Sequence, residues 1–246
     1  MNIYHITHSP QVGIVHLHFW GCNLNCRACF RKRELYDCHL IETKDSIFDV
    51  VEKNPQTPKG FLKLEEVMRV LSTLQVRGVI FMGAEPTIDP ELPELAEALH
   101  EEFGSYNTLL TNGFIFADLK EIDEVVVSIK AYTDGLHRNY TGKSNKVALE
   151  NFVKYHRSGV KLRSESIFIP DYIDCAEIEK ISTFIGQLDR SIPYRIDAYV
   201  PIGNNPWRRP TPAEMQKAVD IARKHLVNVS CLTGNEELKF EVLRVI

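Results

Sequence analysis

Short apolar runs alternate with amphipathic helical stretches along nearly the whole chain, and few architectures accept that order. Residues 15–20, 79–82, 108–110, 125–130, 161–169 and 195–200 read as strands, and 64–74, 90–103, 146–156, 176–188 and 211–225 as helices. Strand–helix alternation implies a parallel sheet with helical crossovers, because parallel neighbours need a long return path. Val125, Val126 and Val127 leave no polar face, as expected of a strand covered on both sides. The pattern predicts an α/β fold of about six βα units, two short of the eight of a closed barrel. The expectation is therefore an open, partial (β/α)6 TIM-like barrel in a single domain spanning 1–246.

Composition narrows the function classes. Lysine and arginine number 29 against 33 acidic residues, a formal charge of −4 with no block of like sign. That balance gives no support to nucleic acid or a membrane surface as partner. No stretch approaches the ~20 apolar residues of a membrane helix, and the first residues lack the pattern of a secretory signal. A cytoplasmic setting is expected, where cysteines serve metals or catalysis more often than disulfides.

Three of the six cysteines crowd into one loop after the first strand, Gly21-Cys22-Asn23-Leu24-Asn25-Cys26-Arg27-Ala28-Cys29-Phe30. A C-x3-C-x2-C set offers three thiolates to a [4Fe-4S] cluster and leaves the fourth iron open to a small chelating molecule. A structural zinc site needs a fourth ligand, for which Cys38 and His39 are the candidates. Cys38, Cys175 and Cys231 are too scattered for a second cluster and read as ordinary thiols.

With its downstream motifs the sequence resembles the radical S-adenosylmethionine (SAM) superfamily, over a core of about 13–207 followed by an extension of about 208–246. Gly83-Ala84-Glu85-Pro86 is similar to the family's Gly-Gly-Glu-Pro turn, and Thr111-Asn112-Gly113 to its Thr-Asn-Gly strand end. Trp20-Gly21-Cys22 and Ser128-Ile129-Lys130 look closest to the glycyl-radical-enzyme activators, typified by the pyruvate formate-lyase activating enzyme. The resemblance implies a [4Fe-4S] cluster on Cys22, Cys26 and Cys29, with SAM as the second cofactor. It implies that Gly83 and Ala84 admit the methionyl group, that backbone at Ala28 and Phe30 flanks the adenine, and that Ser128 meets the ribose. Lys130 would pair with the SAM carboxylate or a nearby acid, Glu85 would order its turn, and Thr111 and Asn112 would complete the cradle. A reductant such as flavodoxin or ferredoxin is implied as a partner, together with a protein substrate.

The sequence departs from the activators in places. Ala28 stands where an aromatic residue is usual, Leu110 and Ser128 where two acids would build a monovalent-cation site, and Val200 where a histidine helps bind SAM. Those changes leave the radical chemistry intact and loosen the substrate assignment.

Strand alternation nominates further candidates for substrate contact. His16 and His18 share a face of the first strand, although local packing is the plainer reading. Arg163 and Glu165 share a face with Lys161, and Asp197 shares one with Tyr199. If these groups point inward they form a polar pocket; if not, they are a solvated strand start. His5 and His8 read as solvent-facing. Residues 204–210, with Arg208 and Arg209, give a weak hint of an anionic partner. Convergence of the polar set would favour a small-molecule substrate, and a wide barrel mouth a protein. A zinc-stabilised binding module is the remaining alternative.

Overall fold

In a computed structural model, residues 1–30, 40, 57–201, 204–237 and 239–246 are described. Nine strands form one sheet in the order β8-β7-β6-β5-β4-β3-β2-β1-β9. The elements in chain order are β1 (Ile3–Ser9), β2 (Ile14–Phe19), α1 (Leu64–Leu71), β3 (Gly78–Gly83), α2 (Leu92–Phe103), β4 (Tyr106–Thr111), β5 (Glu124–Ser128), α3 (Asp134–Thr141) and α4 (Lys146–Ser158). There follow β6 (Lys161–Phe168), α5 (Cys175–Leu188), β7 (Tyr194–Ala198), α6 (Pro212–Ala222), β8 (Val229–Leu232) and β9 (Leu243–Arg244). Strands β2 to β8 run parallel, each paired with the next, while β1 is antiparallel to both β2 and β9. The sheet does not close on itself, as the open partial barrel requires.

The expected strands and helices all form, with ends shifted by up to three residues. Asp89, a residue type favoured as an N-cap, stands just ahead of α2 but does not cap it directly. Instead its carboxylate accepts from the Glu91 N–H at 3.0 Å, and the helix starts one turn-like step later at Leu92. Four elements were not anticipated: β1, α3, β8 and β9. Residues expected as an extension after the core supply α6, β8 and β9, so the parallel run has seven strands.

The two faces of the sheet differ in chemistry. Val15, Leu17, Phe19, Val79, Phe81, Leu109, Val125, Val127 and Ile196 pack with Leu71 of α1, Leu99 of α2, Phe152 of α4, Ile181 of α5 and Val219 of α6 in one continuous apolar core. Burying each large side chain contributes about 1.5–3 kcal/mol. The opposite face, by the period of two, carries His16, Ile80, Met82, Leu110, Val126, Arg163, Glu165 and Arg195 around the barrel lumen.

His5 and His8 are buried, not solvent-facing. His5 retains 1% of its exposure because β1 lies between β2 and the C-terminal strand β9. No local pattern announces a partner strand from the far end of the chain.

Candidate active site

The cysteine loop leaves β2 through Gly21, whose φ of +89° suits glycine. It is tied down from two sides, the end of α3 and the residue after β4. Asn25 N–H donates to Thr141 O at 2.9 Å and Arg27 N–H to Tyr140 O at 3.0 Å. Asn112 donates through Nδ2 to Asn23 Oδ1 at 2.7 Å. Cys22, Cys26 and Cys29 are free thiols, all partly buried. The Leu24 N–H points at Cys22 Sγ from 3.3 Å, and Asn112 Nδ2 lies 3.7 Å from the same sulfur.

Burial raises the Cys22 thiol despite the Leu24 N–H, and it pushes Cys26 up to about 11 although Lys130 opposes it. Burial by itself would lower the Lys130 ammonium, but Cys26, Glu165, Cys29 and Cys22 around it hold it above its ordinary value. Unpaired thiols, donors directed at sulfur and a buried cation beside all three cysteines suit a thiolate-bound iron–sulfur group. Among the described residues, no three His, Cys, Asp or Glu side chains converge where a single ion could sit. Cys38 and His39, candidates for a fourth zinc ligand, lie outside the described residues.

The turn after β3 is built for close approach. Gly83 has φ +104°, and a Cβ there would lie 2.7 Å from both N and O of Phe19. Only glycine lets β3 end flush against β2. Ala84 N–H then donates to Phe19 O at 2.9 Å and Glu85 N–H to Gly21 O at 3.0 Å, joining turn and cysteine loop. The Glu85 carboxylate is fully occupied. It accepts from Thr87 Oγ1 at 2.6 Å, Thr111 Oγ1 at 2.7 Å and Asn112 N–H at 2.7 Å. Burial raises its pKa while these donors pull it down. The geometry is that of a group ordering its turn, with Thr111 and Asn112 locked to it.

Ser128, at the end of β5, donates to Glu165 Oε1 at 2.6 Å. Arg195 bridges Glu165 Oε2 at 2.6 Å and Asp197 Oδ1 at 2.8 Å. Burial raises the Asp197 pKa against the pull of Arg195. Glu165 and Asp197 thus come together, through an arginine the sequence reading did not name. Its signal was present: Arg195 lies two residues before Asp197 on the same strand face.

Arg163 pairs one pleat lower, with Nε 2.9 Å from Glu124 Oε1 but not aligned as a hydrogen bond. Lys161 sits 64% exposed beside the same carboxylate and so leaves the inward set. His16 and His18 share the Thr7 hydroxyl, at 3.2 and 3.3 Å, and His16 also lines the lumen.

Tyr199 does not join Asp197. It lies beyond the end of β7, fully buried in a second apolar cluster with Ala28, Tyr140, Ile169 and Ile173. Strand alternation stops at Ala198, and with it the shared face. Phe30 is 38% exposed. Arg27 stacks on Trp207 at 4.5 Å and Asn205 Nδ2 donates to Arg27 O at 2.9 Å, so the 204–210 loop packs on the cysteine loop. Arg208 is engaged by Glu214 and Arg209 by Thr233 O, which spends the cations taken as a hint of an anionic partner.

Residues 17–185 match the Radical SAM superfamily. The chain belongs to that family. This radical SAM enzyme is 32% identical over 239 residues to a Methanocaldococcus jannaschii protein provisionally named a glycyl-radical enzyme activating enzyme, covering 94% of this chain and 84% of that one. It is 25% identical over 143 residues to an S-adenosylmethionine-dependent nucleotide dehydratase of Flammeovirga pacifica, covering 54% of this chain and 43% of that one. Among solved structures it resembles a domain of a pyruvate-formate lyase-activating enzyme from Bacteroides vulgatus, with TM-score 0.56 and 15% identity over 63% of this chain and 99% of that one. Membership implies an iron–sulfur cluster and SAM. No helix among the described residues is long and apolar enough to cross a membrane.

Proposed function

We propose that Cys22, Cys26 and Cys29 hold a [4Fe-4S] cluster whose fourth iron takes SAM, and that the enzyme generates a radical on a protein substrate, as a glycyl-radical-enzyme activase does. The observation that carries the cofactor reading is the grouping of three free thiols and Lys130 beside the Gly83 turn. The chemistry supplied when both cofactors are bound is reductive cleavage of SAM to methionine and a 5′-deoxyadenosyl radical, with hydrogen abstraction from the substrate.

The chain's own residues have separate tasks. Gly83 and Ala84 leave room for the methionyl group at the strand end. Lys130 supplies positive charge beside the thiolates and is placed to pair with a carboxylate, while Ser128 lies at the ribose side. Backbone at Ala28 and Phe30 flanks the adenine. Glu85, Thr111 and Asn112 hold this frame rigid and need make no contact of their own. The domain reading is a radical SAM core of about 13–207 with 208–246 completing the sheet. A cytoplasmic enzyme drawing electrons from a flavodoxin or ferredoxin fits these roles.

The protein-substrate reading is supported by the Methanocaldococcus jannaschii relative, matched over 94% of this chain. A second reading, a small-molecule substrate, is favoured by one observation: Arg163, Glu165 and Arg195 converge on a lumen cavity of about 430 Å3, within the usual range of small-ligand pockets. The nucleotide dehydratase relative lends that reading further support.

The test is anaerobic reconstitution followed by reduction with SAM present. Iron and sulfide near four per chain, together with 5′-deoxyadenosine, are expected. Stoichiometric zinc without 5′-deoxyadenosine would replace the reading with a zinc-stabilised module.

A further inference from the structure

Cations line the lumen, and they differ in how fully they are paired. Among the described residues, Arg163, Arg195, Lys239 and Glu165 line the cavity, and Glu124 and Asp197 add carboxylates beside Arg163 and Arg195. Arg195 is committed to Glu165 and Asp197. Arg163 is not committed in that way. Among the described residues its one ion pair runs from Nε to Glu124 and it makes no hydrogen bond, and its side chain is 43% exposed. A guanidinium fork left open to a cavity matches the geometry of a carboxylate or phosphate.

The rest of the wall limits what else could sit there. Ile80, Met82, Leu110 and Val126 give it an apolar flank, and Phe240 and Val242 of the C-terminal segment line it with Ser9 and Ser230. Lys239 arrives with that segment. Arg163 and Glu165 are two residues apart on β6, which separates them by about 6.6 Å along the strand. An anion held at Arg163 would therefore extend its other end toward Ser128 and Lys130, where the radical would be formed.

We infer that Arg163, aided by Lys239, anchors an anionic group of the substrate, carboxylate or phosphate, at the base of the lumen. This rests on the radical SAM reading for its purpose, but not for its detection. Binding is measured on the reconstituted protein with SAM and without reductant, by calorimetric titration. The probes are succinate, inorganic phosphate and the blocked peptide acetyl-Gly-Asp-Gly-amide.

At least one probe should bind the wild-type protein, and Arg163→Gln should weaken it roughly tenfold, the loss of one charge-assisted fork. Arg163→Lys should retain part of the affinity. Lys239→Gln, on an exposed residue, should weaken binding by a smaller factor and serves if Arg163→Gln fails to fold. Binding of succinate or phosphate through Arg163 makes the anion part of a small molecule, and binding of the peptide alone makes it an acidic side chain of a protein. If no probe binds at about 10 mM, or the variants bind as the wild type does, the inference is overturned. SAM cleavage by the wild-type protein is followed in parallel. Cleavage without anion binding sinks this inference alone, and anion binding without cleavage sinks the radical reading alone.

Discussion

The upper rim of the barrel and its lumen are built from the same strands by different means. At the rim, the ties are backbone hydrogen bonds and short side-chain caps between adjacent loops, and nearly every polar group is consumed. Glu85 alone serves Thr87, Thr111 and Asn112. In the lumen the ties are ion pairs across strands, from Glu124 to Arg163 and from Glu165 through Arg195 to Asp197, and at Arg163 capacity is left over. A rim whose uncommitted groups are the three thiols and Lys130 is a rigid frame, suited to holding cofactors in one geometry. A lumen with an open guanidinium is suited to receiving an anionic group.

The sharpest way to break this contrast is at the cysteine loop. Cys26→Ala is expected to abolish the cluster and all 5′-deoxyadenosine formation, read by iron content and chromatography, while thermal unfolding of the apo-protein changes little. Full cleavage by that variant would remove the rim's assigned role. Gly83→Ala comes next. With φ at +104° and a Cβ 2.7 Å from Phe19 backbone, it should cost about 2–4 kcal/mol in denaturant unfolding.

Glu85→Gln tests whether the rim is truly saturated. It should destabilise by about 1–3 kcal/mol, because a buried acceptor of four donors is weakened. It should also change the pH profile. Burial raises the folded-state pKa of Glu85 above its ordinary 4.5, so the folded state binds the proton more tightly than the unfolded chain. Wild-type stability should therefore fall as pH rises from about 4.5 through the raised value, and the variant should lack that component. Matching slopes in the two proteins would show that Glu85 is not held as described.

Lumen changes should be milder. Glu165→Gln leaves Arg195 with Asp197 and keeps an acceptor for Ser128, and its expected cost is about 1 kcal/mol. Thr7→Val removes the hydroxyl shared by His16 and His18 and should cost about 0.5–1.5 kcal/mol. If these two exceed the Glu85 effect, the ordering of rim over lumen is wrong.

Legibility followed the same division. The cysteine spacing, the Gly83-Ala84-Glu85-Pro86 turn and Thr111-Asn112-Gly113 could be read directly, since each is a short run recognisable in itself, although the bonds that hold it come from distant residues such as Thr141 and Asn112. Arg163, Glu165 and Asp197 could be placed on strand faces by alternation, yet whether those faces met was not readable. Tyr199 shows the limit of that rule, because the strand ended one residue before it. Arg195 carried the same alternation signal as Asp197 and went unread, while Lys239 and Phe240 carried none.

By itself, then, the sequence determined the alternating architecture, the cysteine loop and the motif-bearing strand ends, because those depend on residues a few positions apart and on periodicity. Tertiary structure alone decided that β9 would return to cover β1 and bury His5 and His8. It also decided that Arg163, Glu165, Arg195 and Lys239 would surround one cavity. The physical reason is that burial and ion pairing depend on which distant segments become neighbours, and no local pattern encodes that distance.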